Sequence, residues 1–380
     1  MKTSVSLITC DSYESPRVYE SIKEAINLLG GISSFVKPKE TILIKPNLLS
    51  AKEPERAVTT HPEIVRAVVR LIREAGATPL IGDSPGGAIK GVERVWEKTG
   101  MKKLAQEEGV RLVSFETAGS VEKKIDHPLV PTVHISKAVL ACDGIINLPK
   151  LKTHNLMIFT GCVKNCYGIV PGLRKAEYHK LAPHPDDFGR LLGEIYLLVK
   201  DRVRLNIVDG IMGMEGNGPS SGELRKMDLV VAGSDGVAVD AAITNLLGFK
   251  PKRIEPFEYL KRKKAGIDDI SNIELVGGAK ARRVRNFKFP SNWYVRLIPK
   301  FVVDILGRFI WMKPVVIEDY CTGCMMCVDS CPVKTIIKER GKKPRVDWKG
   351  CISCLCCHEL CPSHAIELKS SRLAKMLIRQ

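Results

Sequence analysis

CTGCMMCVDSCP, residues 321–332, returns thirty residues later as CISCLCCHELCP, residues 351–362. Each copy spaces its cysteines C-x2-C-x2-C-x3-C and closes on a proline: Cys321, Cys324, Cys327, Cys331 and Pro332, then Cys351, Cys354, Cys357, Cys361 and Pro362. Val316 matches Val346 and Ile336 matches Ile366 at the same offset. The repeat thus reaches beyond the cysteines and predicts a small pseudo-twofold module. The spacing is that of a bacterial cluster-binding run. Three thiolates from one loop cap three corners of an iron–sulfur cube, and the fourth crosses to the other cube. The expectation is two [4Fe-4S] clusters, one held by Cys321, Cys324, Cys327 and Cys361, the other by Cys351, Cys354, Cys357 and Cys331. So short a segment buries too little apolar surface to fold alone, and the bound metal would supply folding free energy. Paired zinc sites are the rival reading, because C-x2-C pairs also bind zinc. Cys356 is surplus to the pattern and reads as a small buried hydrophobe.

Upstream, short β-rich runs alternate with amphipathic helices, which predicts an α/β fold with a mainly parallel sheet over residues 1–280. Strands are expected at Val5–Thr9, Thr41–Lys45, Pro79–Gly82, Arg111–Phe115, Gly144–Asn147, Leu205–Val208 and Leu229–Ala232. Helices are expected at Arg17–Leu29, Pro62–Ala75, Val92–Thr99, Phe188–Lys200 and Val237–Leu247. The cysteine repeat then adds a small C-terminal α+β ferredoxin-like domain over 314–368. No G-x-G-x-x-G follows a strand and no phosphate-binding P-loop sequence occurs, so nothing specific points to a nucleotide.

Ligands in open α/β sheets bind outside the carboxyl ends of the strands. Here those ends carry Lys45-Pro46-Asn47, Asp83-Ser84-Pro85, Pro149-Lys150-Leu151-Lys152-Thr153-His154, Asp209-Gly210 and Gly233-Ser234-Asp235. Taken singly these are ordinary turn residues. Taken together they predict a crevice for an anionic small molecule, with Lys45, Asn47, Asp83, Lys150, Lys152 and Asn165 binding the substrate. In GCVKNCYGIVPGLRKAEYH, residues 161–179, Lys164, Lys175 and His179 read as orienting or proton-donating groups, joined by His154. Cys162 and Cys166, four apart, read either as a core-facing pair or as a redox dithiol. The glycine-rich run around Glu215, residues 209–222, reads as a mobile lid or a close-approach loop over the crevice.

KPNLL, THP, GDSPGG, NLPKLKTH, GCVKNCYG, MEGNGP and GSDGVAVDA, taken as a set, resemble the family of the domain of unknown function 362, often joined to a ferredoxin module. The resemblance covers roughly residues 1–280 and implies an α/β fold with a shared pocket, but no assigned reaction. The family more often has plain apolar residues at the positions of Cys162 and Cys166.

The chain has 380 residues, 44% of them hydrophobic and 27% charged, with a net charge of +17. That length allows two or three domains, and the charge favours anionic partners. Residues 281–313 read as a basic amphipathic linker helix. Its basic stripe among aromatics at 293–312 suits either an anionic membrane surface or a helix packed between domains. Residues 369–380 form a second basic segment. Thirteen cysteines, eight of them assigned to clusters, indicate a reducing compartment. The location expected is the cytoplasm, with peripheral contact at the inner membrane face. Nucleic acid is not the expected partner, because no recognition module appears. The leading expectation is an oxidoreductase that passes electrons from a donor protein through the clusters to the crevice. The alternatives are a non-catalytic carrier or assembly factor that docks an acidic partner, and a transferase whose clusters are structural.

Overall fold

The computed structural model describes residues 2–86, 91–172, 174–182, 184–249, 254–280, 283–290, 312–339 and 341–371. The strands are β1 (Thr3–Thr9), β2 (Thr41–Pro46), β3 (Thr78–Asp83), β4 (Arg111–Ser114), β5 (Ser120–Lys124), β6 (Thr132–Ser136), β7 (Gly144–Leu148), β8 (Lys150–His154), β9 (Ile158–Thr160), β10 (Val203–Glu215), β11 (Glu223–Gly233) and β12 (Ile273–Val276). All but the β5–β6 hairpin join one sheet, whose main order is β12-β1-β11-β10-β7-β2-β3-β4; β8 and β9 extend it beside β10. Along the main order only β11 runs against its neighbours.

Both faces of the sheet are covered, so its strands alternate between two cores. Ile42 and Ile44 of β2 face one core while Leu43 faces the other. The first core is closed by α1 (Ser15–Asn27) and α2 (Pro62–Glu74), packed with α3 (Val92–Lys98) and α4 (Met101–Glu108). The short α5 (Lys137–Ala141), α6 (Cys162–Asn165), α7 (Arg174–Leu181), α8 (Pro185–Leu197) and α9 (Gly236–Leu246) lie on the other side, with α10 (Glu255–Arg262) against α8. α2 shows why these segments are helices. Pro62 sits in its first turn and the His61 ring accepts from Glu63 N. Ile64, Val65, Val68, Leu71 and Ile72 then form a buried stripe at helical spacing, each contributing about 1.5–3 kcal/mol. Gly76, at φ 74°, turns the chain into β3.

Two sequence expectations change. β10 runs unbroken from Val203 to Glu215 and pairs with β11 as far as Glu215–Glu223. The first half of the run read as a mobile lid or a close-approach loop, 209–215, is therefore buried strand, where Gly210 and Gly213 let Leu151 and Leu229 approach closely. The α/β body also extends past 280, since Phe287 and Phe289 pack on its core. Residues 283–290 are not helical, and Met312–Lys313 belong to a strand. The remainder of the expected linker helix and membrane-facing stripe, 291–311, lies outside the described residues, as does most of the basic tail.

The C-terminal module pairs β13 (Met312–Val316) with β16 (Ile366–Ser370) and β14 (Ile336–Ile337) with β15 (Arg345–Val346). Its helices are α11 (Met326–Ser330) and α12 (Cys356–Leu360). The thirty-residue repeat is written into the backbone. Met325 and Leu355 both take positive φ, and so do Lys334 and His364.

Lys150 and Asp209 are both fully buried and pair at 2.8 Å. Asp209→Ala should cost about 3–5 kcal/mol, because it leaves a buried ammonium without its counter-charge. Chemical denaturation would read this as a lower midpoint, and the double variant Lys150→Met/Asp209→Leu should recover most of the loss.

Candidate functional site

The carboxyl ends of β2 and β7 meet α6 and the first part of β10 in a chain of side-chain amides. Asn206 of β10 accepts from Asn147 Nδ2 at 2.9 Å, and Asn147 accepts from Asn165 Nδ2 at 2.8 Å. Asn165 accepts from Asn47 Nδ2 at 2.9 Å, and Asn47 in turn accepts from Lys152 Nζ at 2.8 Å. Each buried amide both donates and accepts, which is what keeps so polar a layer affordable inside the protein. Beside it Lys45 pairs with Asp83 at 2.7 Å, and the second Asp83 oxygen accepts from Leu48 N at 2.8 Å. Gly168 lies against this pair; a Cβ there would sit 2.2 Å from Asp83 Oδ1 and 2.6 Å from Lys45 Nζ.

Above this floor is a cavity of about 110 Å³. Asn47, Asp83, Lys164, Asn165, Lys175 and His179 line it, together with Ser84 and Tyr167. Its remaining wall comes from the C-terminal module, through Ser330, Cys356 and Leu360. Lys45, Lys150 and Lys152 do not line it. Lys45 is committed to Asp83, Lys150 to Asp209 and the Tyr13 hydroxyl, and Lys152 to Asn47 and the Val58 carbonyl. His154 is also elsewhere. It is buried, and its Nδ1 accepts from Leu156 N and Met157 N, which fixes a turn.

The lining groups differ sharply in protonation. Lys175 donates to Ser84 Oγ at 2.5 Å, to the Ser84 carbonyl, and to the Val170 carbonyl at 3.2 Å. Burial pulls its ammonium down to about 8. The His179 ring stacks on Phe188 at 4.1 Å, and among the described residues its Nδ1 has no hydrogen-bond partner. Burial first, then the Lys164 charge, pushes His179 down to about 3. A neutral imidazole replaces the near-neutral proton donor expected from sequence, because burial disfavours the charged ring. Cys162 and Cys166 are fully buried core groups, and burial raises both thiols, Cys166 to about 12. That suits the core-facing reading and not an accessible dithiol.

In the module, Cys321, Cys324, Cys327 and Cys361 line one cavity, while Cys331, Cys351, Cys354 and Cys357 line another. These are the two sets the spacing predicts. Among the described residues no three Cys, His, Asp or Glu side chains converge closely enough for a single ion. Each thiol set lines a small space of its own. Thr335 N donates to Cys331 Sγ at 3.3 Å and Ala365 N to Cys361 Sγ at 3.2 Å, again thirty residues apart. Such N–H groups stabilise bound thiolate. The residues present fit the cluster type. Cys356 belongs to neither set; it faces the cavity shared with the α/β body.

The two parts are joined by specific contacts. His364 Nδ1 meets Ser221 Oγ at 2.9 Å, and its Nε2 meets Lys52 Nζ at 3.2 Å. Lys52 Nζ also donates to the Pro362 carbonyl at 2.6 Å. The sequence reading did not single out Ser84, Tyr167, Lys52 or Ser221. Ser84 lay within GDSPGG and Tyr167 within GCVKNCYG, where their neighbours drew the attention.

A family model described as domain of unknown function DUF362 matches residues 42–245, and one described as a 4Fe-4S dicluster domain matches residues 313–362. The thylakoid-associated protein sll1697 of Synechocystis sp. is 39% identical over 256 residues, which are 67% of this chain and 77% of that protein. Among solved structures, the lactate racemase apoprotein of Thermoanaerobacterium thermosaccharolyticum aligns over 60% of this chain at 14% identity, TM-score 0.40. A structural-genomics protein from Thermotoga maritima aligns over 57% at 13%, TM-score 0.39. The alignments span only 54% and 56% of those two chains. Among the described residues no helix is long and apolar enough to cross a membrane.

The depressed His179 makes a pH prediction. Between about 3 and the ordinary value of 6.5 the unfolded chain binds a proton at this position that the folded chain refuses. Stability should therefore fall as pH drops through that window, with this site contributing up to about 1.4 kcal/mol per pH unit. His179→Phe should keep the stack on Phe188 and flatten the slope, as read from unfolding midpoints at pH 4 to 7.

Proposed function

Given that the chain belongs to the DUF362 family and carries a 4Fe-4S dicluster domain, we propose that it is an iron–sulfur oxidoreductase acting on a small anionic substrate. The single observation that carries this reading is the shared cavity, with a cationic, amide-lined wall from one part and α12 of the cluster-binding part opposite. Cys321, Cys324, Cys327 and Cys361 would hold one [4Fe-4S] cluster, and Cys331, Cys351, Cys354 and Cys357 the other. When bound, the clusters supply single electrons at low potential.

The chain's own residues do the rest. Lys164 and Lys175 supply positive charge for a carboxylate or phosphate group, in a space where little water screens it. Asn47 and Asn165 hold fixed orientations through the amide chain, so they present preorganised dipoles to the ligand. Lys175, tuned by burial to about 8, is mostly protonated at neutral pH and acidic enough to give its proton up. The Val170 carbonyl, its longest contact, is the partner a substrate would replace. Neutral His179 accepts a hydrogen bond or donates one, according to tautomer, but carries no charge at neutral pH. Leu48, Leu49 and Leu360 complete the wall and exclude water. A donor protein must reach the module from outside, and the net charge of +17 favours an acidic one.

Anaerobically prepared protein should contain about eight iron atoms and eight labile sulfides per chain. Lys175→Met should leave that content and the visible absorbance unchanged while abolishing reoxidation of the dithionite-reduced protein by a small-molecule fraction of cell extract. If only a protein fraction reoxidises it, the module is a carrier and the oxidoreductase reading falls. Cys357→Ser should lose about half the iron, whereas Cys356→Ser should retain all of it.

A further inference from the structure

Ser84 follows β3, is 3% exposed, and stands between two groups that open onto different spaces. On one side Lys175 Nζ donates to Ser84 Oγ at 2.5 Å, and Lys175 lines the cavity. On the other, Ser84 Oγ donates to Glu116 Oε1 at 2.5 Å. Glu116 lines a separate open groove of about 690 Å³, which runs between the α/β body and the module past Ser330 and Cys331. The second Glu116 oxygen accepts from Ser114 Oγ at 3.1 Å. Gly172 N donates to Ser84 Oγ at 3.1 Å and so helps hold the hydroxyl in place. Donors and acceptors run in one direction, from ammonium through hydroxyl to carboxylate. Glu116 is also within reach of a groove that carries Arg174 and Lys180, yet among the described residues its oxygens are met by hydroxyls and not by a cation.

We propose that Glu116 and Ser84 form a proton relay that reloads Lys175 from the groove, so that the cavity receives protons without opening to water. The proposal rests on Lys175 being the proton donor of the preceding section. After Lys175 has given a proton to the substrate, its neutral amine takes the Ser84 hydroxyl proton. For this the Glu116 carboxylate first takes a proton from hydronium in the groove; Ser84 takes that proton as it gives up its own, and Glu116 returns to the carboxylate. One proton enters the substrate, one leaves groove water, and no electron moves along this path. The charges facing Lys175 are balanced for the purpose. Asp83 and Glu116 favour its ammonium, while burial, Lys45 and Lys164 disfavour it.

The relay can be tested without knowing the substrate. Reductive methylation of the full-length, cluster-bearing protein by formaldehyde and dimethylamine–borane, mapped by peptide mass spectrometry, reads the fraction of neutral Lys175 at each pH. The wild-type midpoint should lie near 8. Glu116→Gln should lower it by about one unit, so that labelling at pH 7 is about five-fold faster. In a Ser84→Ala background the same substitution should shift it far less, because the coupling runs through the hydroxyl. An equal shift in both backgrounds would mean a through-space field and end the proposal, as would no shift at all. With a small-molecule fraction that reoxidises the wild type, Glu116→Gln should slow single-turnover reoxidation about ten-fold at unchanged half-saturation. Formate, diffusing into the groove, should restore the rate; slowing without rescue would count against the relay. If the wild type is not reoxidised at all, the oxidoreductase reading fails while the labelling cycle still decides the relay.

Discussion

Lys45 and Lys150 stand where water does not reach, and a lysine ammonium is tolerated there only against a carboxylate. Asp83 and Asp209 meet that requirement at 2.7 and 2.8 Å. Because each carboxylate also accepts from backbone or side-chain donors of other segments, pairing the charge fixes the loops. Asp83 takes Leu48 N, and Asp209 takes His61 N and the Tyr13 hydroxyl. Strand ends that would otherwise be free turns become a rigid floor.

That rigidity decides which lysines can meet a ligand. The three deepest have spent their charge on structure. Lys164 and Lys175, carried on α6 and α7 above the floor, line the cavity instead. The same division separates the histidines, since His154 fixes a turn while His179 lines the cavity. A site whose floor is held by committed charges keeps its shape in the absence of ligand, which is the condition for preorganised binding.

The ferredoxin-like module completes the site as well as adjoining it. Its α12 supplies Cys356 and Leu360 to the cavity wall, and His364 is gripped by Ser221 and Lys52. The hairpin tip that sequence suggested as a lid is thus a docking point. A residue surplus to cluster binding, Cys356, acquires its place from the same contact.

The cysteine spacing by itself determined the 4Fe-4S module and its repeat, because ligand spacing is a local property that the sequence carries directly. The apolar pattern likewise placed seven of the twelve described body strands and the five helices it named, since burial on two faces leaves an uninterrupted apolar signature, but it cut β10 and β11 short and missed β5, β6, β8, β9 and β12. It could not reveal that β11 runs antiparallel or that β8 is a strand. KLKTH looks like a polar loop until Asp209, Asn47 and Val58 are brought to its lysines from elsewhere in the chain. Which lysine is structural and which lines the cavity, and which histidine is neutral, were decided only by the tertiary structure. Desolvation and ion pairing depend on what lies within a few ångströms in space, and Lys150–Asp209, Lys45–Asp83 and Ser84–Glu116 join residues that sequence distance keeps far apart.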